Sequence, residues 1–309
     1  MTTLLITHPA CLAHEMGEGH PERPDRLRAI ERAFECESFQ MLARDTAPRA
    51  DEMALERVHP SEYIKALRAA TPTHGHTVID QDTSMSPATF EAALRSAGGA
   101  LFAVDEVMTG KATNAFVATR PPGHHAETRL PMGFCFLNNT AIAARHAQAA
   151  HGAERIAIVD FDVHHGNGTQ HIFWEEPDFM YASTHEMPLF PWTGELGERG
   201  EHDQIVNAPL RAGDSGEVFR EAMREAILPR LADFAPDLLV VSAGFDAHRR
   251  DPLANLNLVE DDFVWISRKL IELAQKCCNG RIVSVLEGGY DLQSLARSVS
   301  AHVATLMEA

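Results

Sequence analysis

The chain has 309 residues, 45% hydrophobic and 23% charged, with 27 basic against 44 acidic residues and a net charge of −17. That balance is ordinary for a soluble globular protein; it speaks against nucleic acid or an anionic membrane as partner and favours the approach of cationic substrates, although solubility alone would account for it equally well. The five cysteines (Cys11, Cys36, Cys135, Cys277, Cys278) form no Cys-x-x-Cys pair, the N-terminus lacks signal-peptide character, and no stretch approaches the ~20 apolar residues of a membrane helix, so a reducing, cytoplasmic setting is expected.

Leu4-Leu5-Ile6 reads as a first strand, and Cys11 to Arg23 as a polar loop. Pro24 suits the first turn of a helix running to Phe34, because its missing N–H costs nothing there. Asp51–Arg57 and Pro60–Ala70 carry helix start signals, while Val78-Ile79 is too short to assign. Apolar residues recur at helical spacing from Pro87 to Thr109, with Gly110 as a stop. Ala115–Thr119 is a strand followed by Arg120-Pro121-Pro122-Gly123, which cannot continue a helix. Asn138–His151 is a helix, Ile156–Val159 a buried strand and Met180–Ser183 another. Gly216–Phe234 and Val259–Cys278 are amphipathic helices on either side of the strand Leu238–Ser242. Ile282–Leu286 is the last strand and Asp291–Met307 the closing helix. Strand and helix alternate throughout, the signature of an α/β fold with a central parallel sheet covered on both faces. No repeat, low-complexity tract or linker-like shift interrupts it, so residues 1–309 read as a single domain.

Four strand ends carry unusual residues: His124-His125, then Asp160, Asp162 and His164, then Asp246, then Glu287-Gly-Gly-Tyr290. Ligands in open α/β sheets bind beyond the carboxyl ends of the strands, where these groups would converge. Asp162 and His164 are two apart, so in extended backbone they share a face, and Asp246 can complete a three-ligand site that leaves a position open for water and substrate. No cysteine cluster exists to close such a site structurally. An imidazole can move the water proton to a leaving amine, and the residues alone leave open whether His124 or His125 does so; Asp160 is available behind one of them. Tyr290, flanked by glycine, can donate its hydroxyl to an oxyanion. Taken singly, the two histidines read as loop residues and Tyr290 as a packing residue; their conjunction points to amide hydrolysis.

The motifs Arg120-Pro-Pro-Gly-His-His-Ala126, Gly133-Phe-Cys-Phe-Leu-Asn-Asn139, Asp160-Phe-Asp-Val-His-His-Gly-Asn-Gly168, Ser242-Ala-Gly-Phe-Asp246 and Glu287-Gly-Gly-Tyr290 resemble, in order, those of the zinc-dependent histone deacetylase family on the arginase/deacetylase fold. His8 and Gly19-His-Pro-Glu-Arg-Pro24 are similar to its N-terminal loop, and Asn167 resembles the class II and bacterial amidohydrolase-type members. The resemblance implies zinc on Asp162, His164 and Asp246, and favours His125 as general base and acid. It pairs His124 with Asp160 and His125 with Asn167, and makes Tyr290 the oxyanion donor. It also implies a substrate tunnel at Gly133 walled by Phe134 and Phe190, and a structural potassium ion held by backbone oxygens of Asp160, Asp162 and His164 with Ser183 and Thr184. A second potassium site is disfavoured by Gln204, which stands where a tyrosine is usual.

Leu253 stands where acetylpolyamine-specific members carry a glutamate, which leans the expectation towards an acyl-lysine-like substrate; Asp82 falls where related enzymes grip the substrate. The alternatives are an acetylpolyamine deacetylase, a weakly catalytic acyl-lysine binding module, and, third, a manganese ureohydrolase. Iron or cobalt would also suit an Asp₂His set.

Overall fold

The computed structural model describes residues 2–309. In chain order the elements are β1 (Thr3–Thr7), α1 (Asp25–Ala33), β2 (Ala43–Thr46), α2 (Glu52–Glu56), α3 (Ser61–Ala70), β3 (Thr77–Val78), β4 (Ser84–Met85), α4 (Thr89–Met108), β5 (Asn114–Val117), α5 (Asn139–His151), β6 (Ile156–Asp160), α6 (Asn167–Ile172), β7 (Phe179–Glu186), β8 (Ile205–Leu210), α7 (Gly216–Ala222), α8 (Leu228–Phe234), β9 (Leu238–Ala243), α9 (Glu260–Cys277), β10 (Ile282–Leu286) and α10 (Leu292–Met307). Eight strands form one parallel sheet in the order β2-β1-β5-β10-β9-β6-β7-β8, and β3 and β4 make a separate antiparallel pair.

The strands are apolar on both faces because each face is covered. Alternate residues such as Ile6, Val117, Ile158, Val240 and Val285 pack with α3, α4 and α5, while Leu5, Phe116, Val159, Val241 and Leu286 pack with α1, α9 and α10. Helix ends are set by local chemistry: the Asn138 side chain accepts from Ala141 N–H at the start of α5, and Gly152 closes it at φ +67°.

Two edge strands lie where the sequence carries no strand signal, and one expected helix is broken. The strand β2 (Ala-Arg-Asp-Thr) is an exposed edge strand with no apolar alternation to announce it. The strand β8 contains Pro209, which reads as a break in sequence but is tolerated at the opposite edge of the sheet. The Gly216–Phe234 helix is interrupted by a π-helical turn at Met223–Ile227, next to Pro229, whose missing N–H cannot continue the α-helical ladder.

Candidate active site

The four strands whose ends looked unusual are neighbours in the middle of the sheet, β5-β10-β9-β6. Their ends are level: Leu286 lies opposite Ala243, and Asp160 opposite Ser242. Residues from all four loops therefore meet at one edge. The loop after β5 hangs from the residue after β10, since Gly123 and His124 donate their N–H groups to Glu287 Oε2 at 2.7 and 3.2 Å. The loop after β6 folds on itself, Asp160 Oδ1 accepting from Asp162 N–H at 3.1 Å and Asp162 Oδ1 from His164 N–H at 3.0 Å.

This brings Asp162, His164 and Asp246 together, with one ligand atom of each within 4.8 Å of the others. His164 Nδ1 is 3.2 Å from Asp162 Oδ1 and 3.1 Å from Asp246 Oδ2. Each carboxylate is also braced by backbone, Asp246 by Val163 N–H at 2.9 Å and Asp162 by Gly288 N–H at 2.8 Å. The space is so tight that a Cβ at Gly244 would collide with Asp162 Oδ2, and one at Gly288 with Asp246 Oδ2. Burial and the charge of Asp162 push Asp246 up to about 6, whereas Asp162, opposed by the same burial, is held low by His124 and His164. Two desolvated carboxylates and an imidazole aimed at one point match a divalent cation in charge and in donor type, so these residues fit a metal ion.

The tandem histidines differ in their partners. His124 Nδ1 lies 3.0 Å from Asp160 Oδ2, which also accepts from the Tyr181 hydroxyl at 3.0 Å. Burial opposes a charge on His124, but Asp160 and Asp162 outweigh it and push the ring up to about 10. His125 is pressed well below its ordinary value by burial and by the positive charges of His124 and His164. Its Nδ1 sits 2.9 Å from Asn167 Oδ1, and the Asn167 amide nitrogen donates to Glu127 Oε1 at 3.0 Å. The amide oxygen therefore faces His125 and accepts from Nδ1–H, leaving Nε2 with its lone pair free. The two rings are 4.0 Å apart, and His125 is 6.1 Å from His164.

A cavity of about 460 Å³ opens onto these groups, its inner end formed by His125, His164 and Tyr290. Gly133, Phe134, Phe190 and Leu253 line it, and exposed Asp82 stands beside His20 at its mouth. Phe134 holds a left-handed backbone (φ 68°), a conformation that costs a non-glycine residue about 1–3 kcal/mol. Its N–H is tied to Thr83 Oγ1 at 3.0 Å, and its ring meets Tyr290 edge-on at 5.9 Å. Phe190 meets His125 edge-on at 5.1 Å. Ser183 lies opposite Asp160 across the β6–β7 pair, with Thr184 next to it; both are buried. Gln204 donates its amide N–H groups to the carbonyls of Phe173 and Trp174 at 2.9 and 2.7 Å.

Comparison with known proteins agrees with this geometry. The histone deacetylase domain family model matches residues 20–306. The chain belongs to the histone deacetylase family. It is 39% identical to the histone deacetylase-like amidohydrolase of Pseudomonas aeruginosa over 88% of this chain and 73% of that one. It is 38% identical to a probable deacetylase of Archaeoglobus fulgidus, over 95% and 82% respectively. The crystal structure of the HDA15 HD domain superimposes with a TM-score of 0.94 at 35% identity, covering 99% of this chain and 88% of that one, and establishes the arginase/deacetylase fold. This deacetylase is thus a hydrolase acting on amides.

Four residues around the deacetylase site went without a role in the sequence reading. Glu22 is fully buried and receives the guanidinium of Arg120, with Arg26 Nη1 at 3.2 Å and His14 Nε2 at 3.4 Å. Arg26 in turn donates to the carbonyls of Gly289 and Glu287, and its guanidinium lies 5.0 Å over the ring of Tyr290. Asp251 accepts from Tyr290 N–H at 2.7 Å and Leu253 N–H at 3.0 Å. Glu287 carries the loop of the tandem histidines. Glu22 and Glu287 stand inside the motifs and Asp251 two residues before Leu253, but nothing in their spacing names a partner so far along the chain.

Proposed function

We propose that this deacetylase is a zinc-dependent enzyme that removes an acetyl or other acyl group from the amine of an acyl-lysine-like substrate. One observation carries the reading: an apolar cavity walled by Phe134, Phe190 and Leu253 ends where His125, His164 and Tyr290 meet. Such a neck accepts an alkyl chain bearing a neutral amide and leaves charged substrate groups at the mouth, within reach of Asp82. Zinc held by Asp162, His164 and Asp246 would polarise the amide carbonyl and lower the pKa of the attacking water towards ~7. His125, neutral and oriented by Asn167, takes the proton from that water at Nε2 and passes it to the departing amine nitrogen. His124, kept charged by Asp160, contributes positive potential beside the reacting carbonyl. Tyr290 donates its hydroxyl to the oxyanion; burial holds the phenol well above its ordinary value, so it is a proton-bearing donor at neutral pH. A potassium ion on backbone oxygens of Asp160, Asp162 and His164, with Ser183 and Thr184, would steady the β6 loop from behind. All five cysteines are free thiols, which supports a reducing compartment such as the cytoplasm. Among the described residues no helix is long and apolar enough to cross a membrane.

The test is amine release from an acetyl-lysine peptide and from an N-acetylated polyamine, assayed in parallel on the zinc-loaded protein and on Tyr290→Phe. Loss of one preorganised oxyanion donor lowers kcat by about 10²-fold or more. Hydrolysis that survives in Tyr290→Phe within a fewfold would overturn the assigned role. Hydroxamate binding without turnover of these or longer acyl substrates would favour a binding module.

Leu253→Glu tests the substrate class separately. A carboxylate at the cavity wall attracts a cationic polyamine and desolvates poorly against a neutral alkyl neck. The ratio of kcat/KM for polyamine over peptide is expected to rise by about tenfold or more, an amount equal to about 1.4 kcal/mol of discrimination. An unchanged ratio would show that position 253 does not select the substrate.

A further inference from the structure

A second cluster of metal-ligating side chains lies far from the cavity. Asp105, near the end of α4, and His146 and His151, near and at the end of α5, place one ligand atom each within 4.8 Å of one another. Both imidazoles converge on the same carboxylate oxygen: Asp105 Oδ1 is 2.7 Å from His146 Nε2 and 2.6 Å from His151 Nε2. The rings stand edge to face with centroids 5.7 Å apart. The imidazoles are mostly covered, whereas Asp105 is 44% exposed, so the open side of the cluster faces water.

We propose that Asp105, His146 and His151 form a second site for a divalent transition-metal ion, one that clamps α4 to α5. Two imidazole nitrogens and one carboxylate oxygen are the donor set of zinc, cobalt, nickel or copper rather than of calcium or magnesium. Ligands about 2.1 Å from a tetrahedral ion stand about 3.4 Å apart, so the two nitrogen–oxygen separations need to open by less than about 1 Å. Water would fill the exposed position. His146 and His151 lie seven and twelve residues beyond the motif residue Asn139, about 10 and 18 Å along the axis of α5. An ion there braces the segments that feed β5 and β6 without touching the cavity.

One group competes with the ion. Arg57 Nη1 lies 2.9 Å from His146 Nδ1, and a guanidinium only donates, so Nδ1 accepts and the ring proton sits on Nε2 facing Asp105. Binding a metal through Nε2 requires that proton to move to Nδ1, and exposed Arg57 then has to swing away. Arg57 therefore sets the affinity of the site.

The experiment counts ions. Untagged protein is equilibrated with Zn²⁺ and gel-filtered, and zinc per chain is measured for the parent, His151→Gln, Asp105→Asn and Arg57→Ala. The parent should hold one equivalent more than either His151→Gln or Asp105→Asn, and Arg57→Ala should bind that equivalent about tenfold more tightly. The same equivalent should raise the melting temperature of the parent but not of the two ligand variants, while amide hydrolysis stays within about twofold in all of them. Equal zinc content in the parent and both ligand variants overturns the proposal, as does a parent in which all bound zinc disappears with Asp246→Asn.

Discussion

Asp246→Asn is expected to abolish metal binding at the cavity and to lower amide hydrolysis by at least about a thousandfold, the equivalent of several kcal/mol of lost charge stabilisation. Asp246 supplies one of the three side-chain donors, and its Oδ2 reaches the point at which Asp162 and His164 converge. Asparagine preserves the brace to Val163 N–H through its amide oxygen, so the loop keeps its course while the donor loses its charge. The metal-free variant should differ little in stability from the metal-free parent, because relief of the repulsion from Asp162 is offset by the lost pairing with His164 Nδ1. Zinc content, turnover and chemical unfolding of both proteins, each with and without chelator, check this. Retained zinc together with retained hydrolysis would remove Asp246 from the ligand set. A marked loss of metal-free stability would instead make its role that of a loop brace.

Glu22→Ala is expected to destabilise the fold by about 3–5 kcal/mol, the cost of leaving buried charges without their partner. Glu22, Arg26, Arg120 and His14 are all fully buried, and Glu22 is the carboxylate that both guanidinium groups share. Their positive charges hold Glu22 well below the usual carboxylate range even though burial works the other way. Removing it leaves two guanidinium groups to the carbonyls of Cys11, His14, Glu22, Glu287 and Gly289, which satisfy hydrogen bonds but not charge. Because Arg26 lies over Tyr290, turnover per folded molecule should fall as well. Urea titration gives the stability change and activity per folded fraction gives the second effect; a midpoint close to that of the parent would mean that the network carries little net energy. Glu22→Gln, which keeps the acceptor oxygen, should lie between the two.

Much of this protein is written locally. Runs such as Ile156–Val159 and Leu238–Val241 specify strands buried on both faces, because β-branched and apolar residues without alternation have no polar side to turn to water. The break from such a run into Asp160, Asp162 and His164 marks a carboxyl end, and Gly152 or the cap at Asn138 marks a helix end, because each depends on backbone geometry within a few residues. Motifs that resemble a known family extend the reading to whole constellations, and the side chains they named do converge: His125 on Asn167, His124 on Asp160, and Asp162 and Asp246 on His164.

Partners across the chain lie beyond that reach. Periodicity says that a residue is buried but not what it is buried against. Thus no local pattern pairs Glu22 with Arg120, and Gly244 and Gly288 are required only because the two carboxylates lie against them. The edge strands β2 and β8 went unread for the same reason. Ala43–Thr46 has no apolar rhythm and Pro209 carries a strand-breaking signal, and only their place at the two margins of the sheet makes each a strand. Strand order itself, β5-β10-β9-β6, sets residues distant in sequence beside one another, because closing those long loops is favourable only when the whole sheet is covered on both faces. The amino-acid sequence by itself determined the elements and the chemistry of their ends; the tertiary structure decided which ends meet, since burial and charge are satisfied by neighbours in space rather than along the chain.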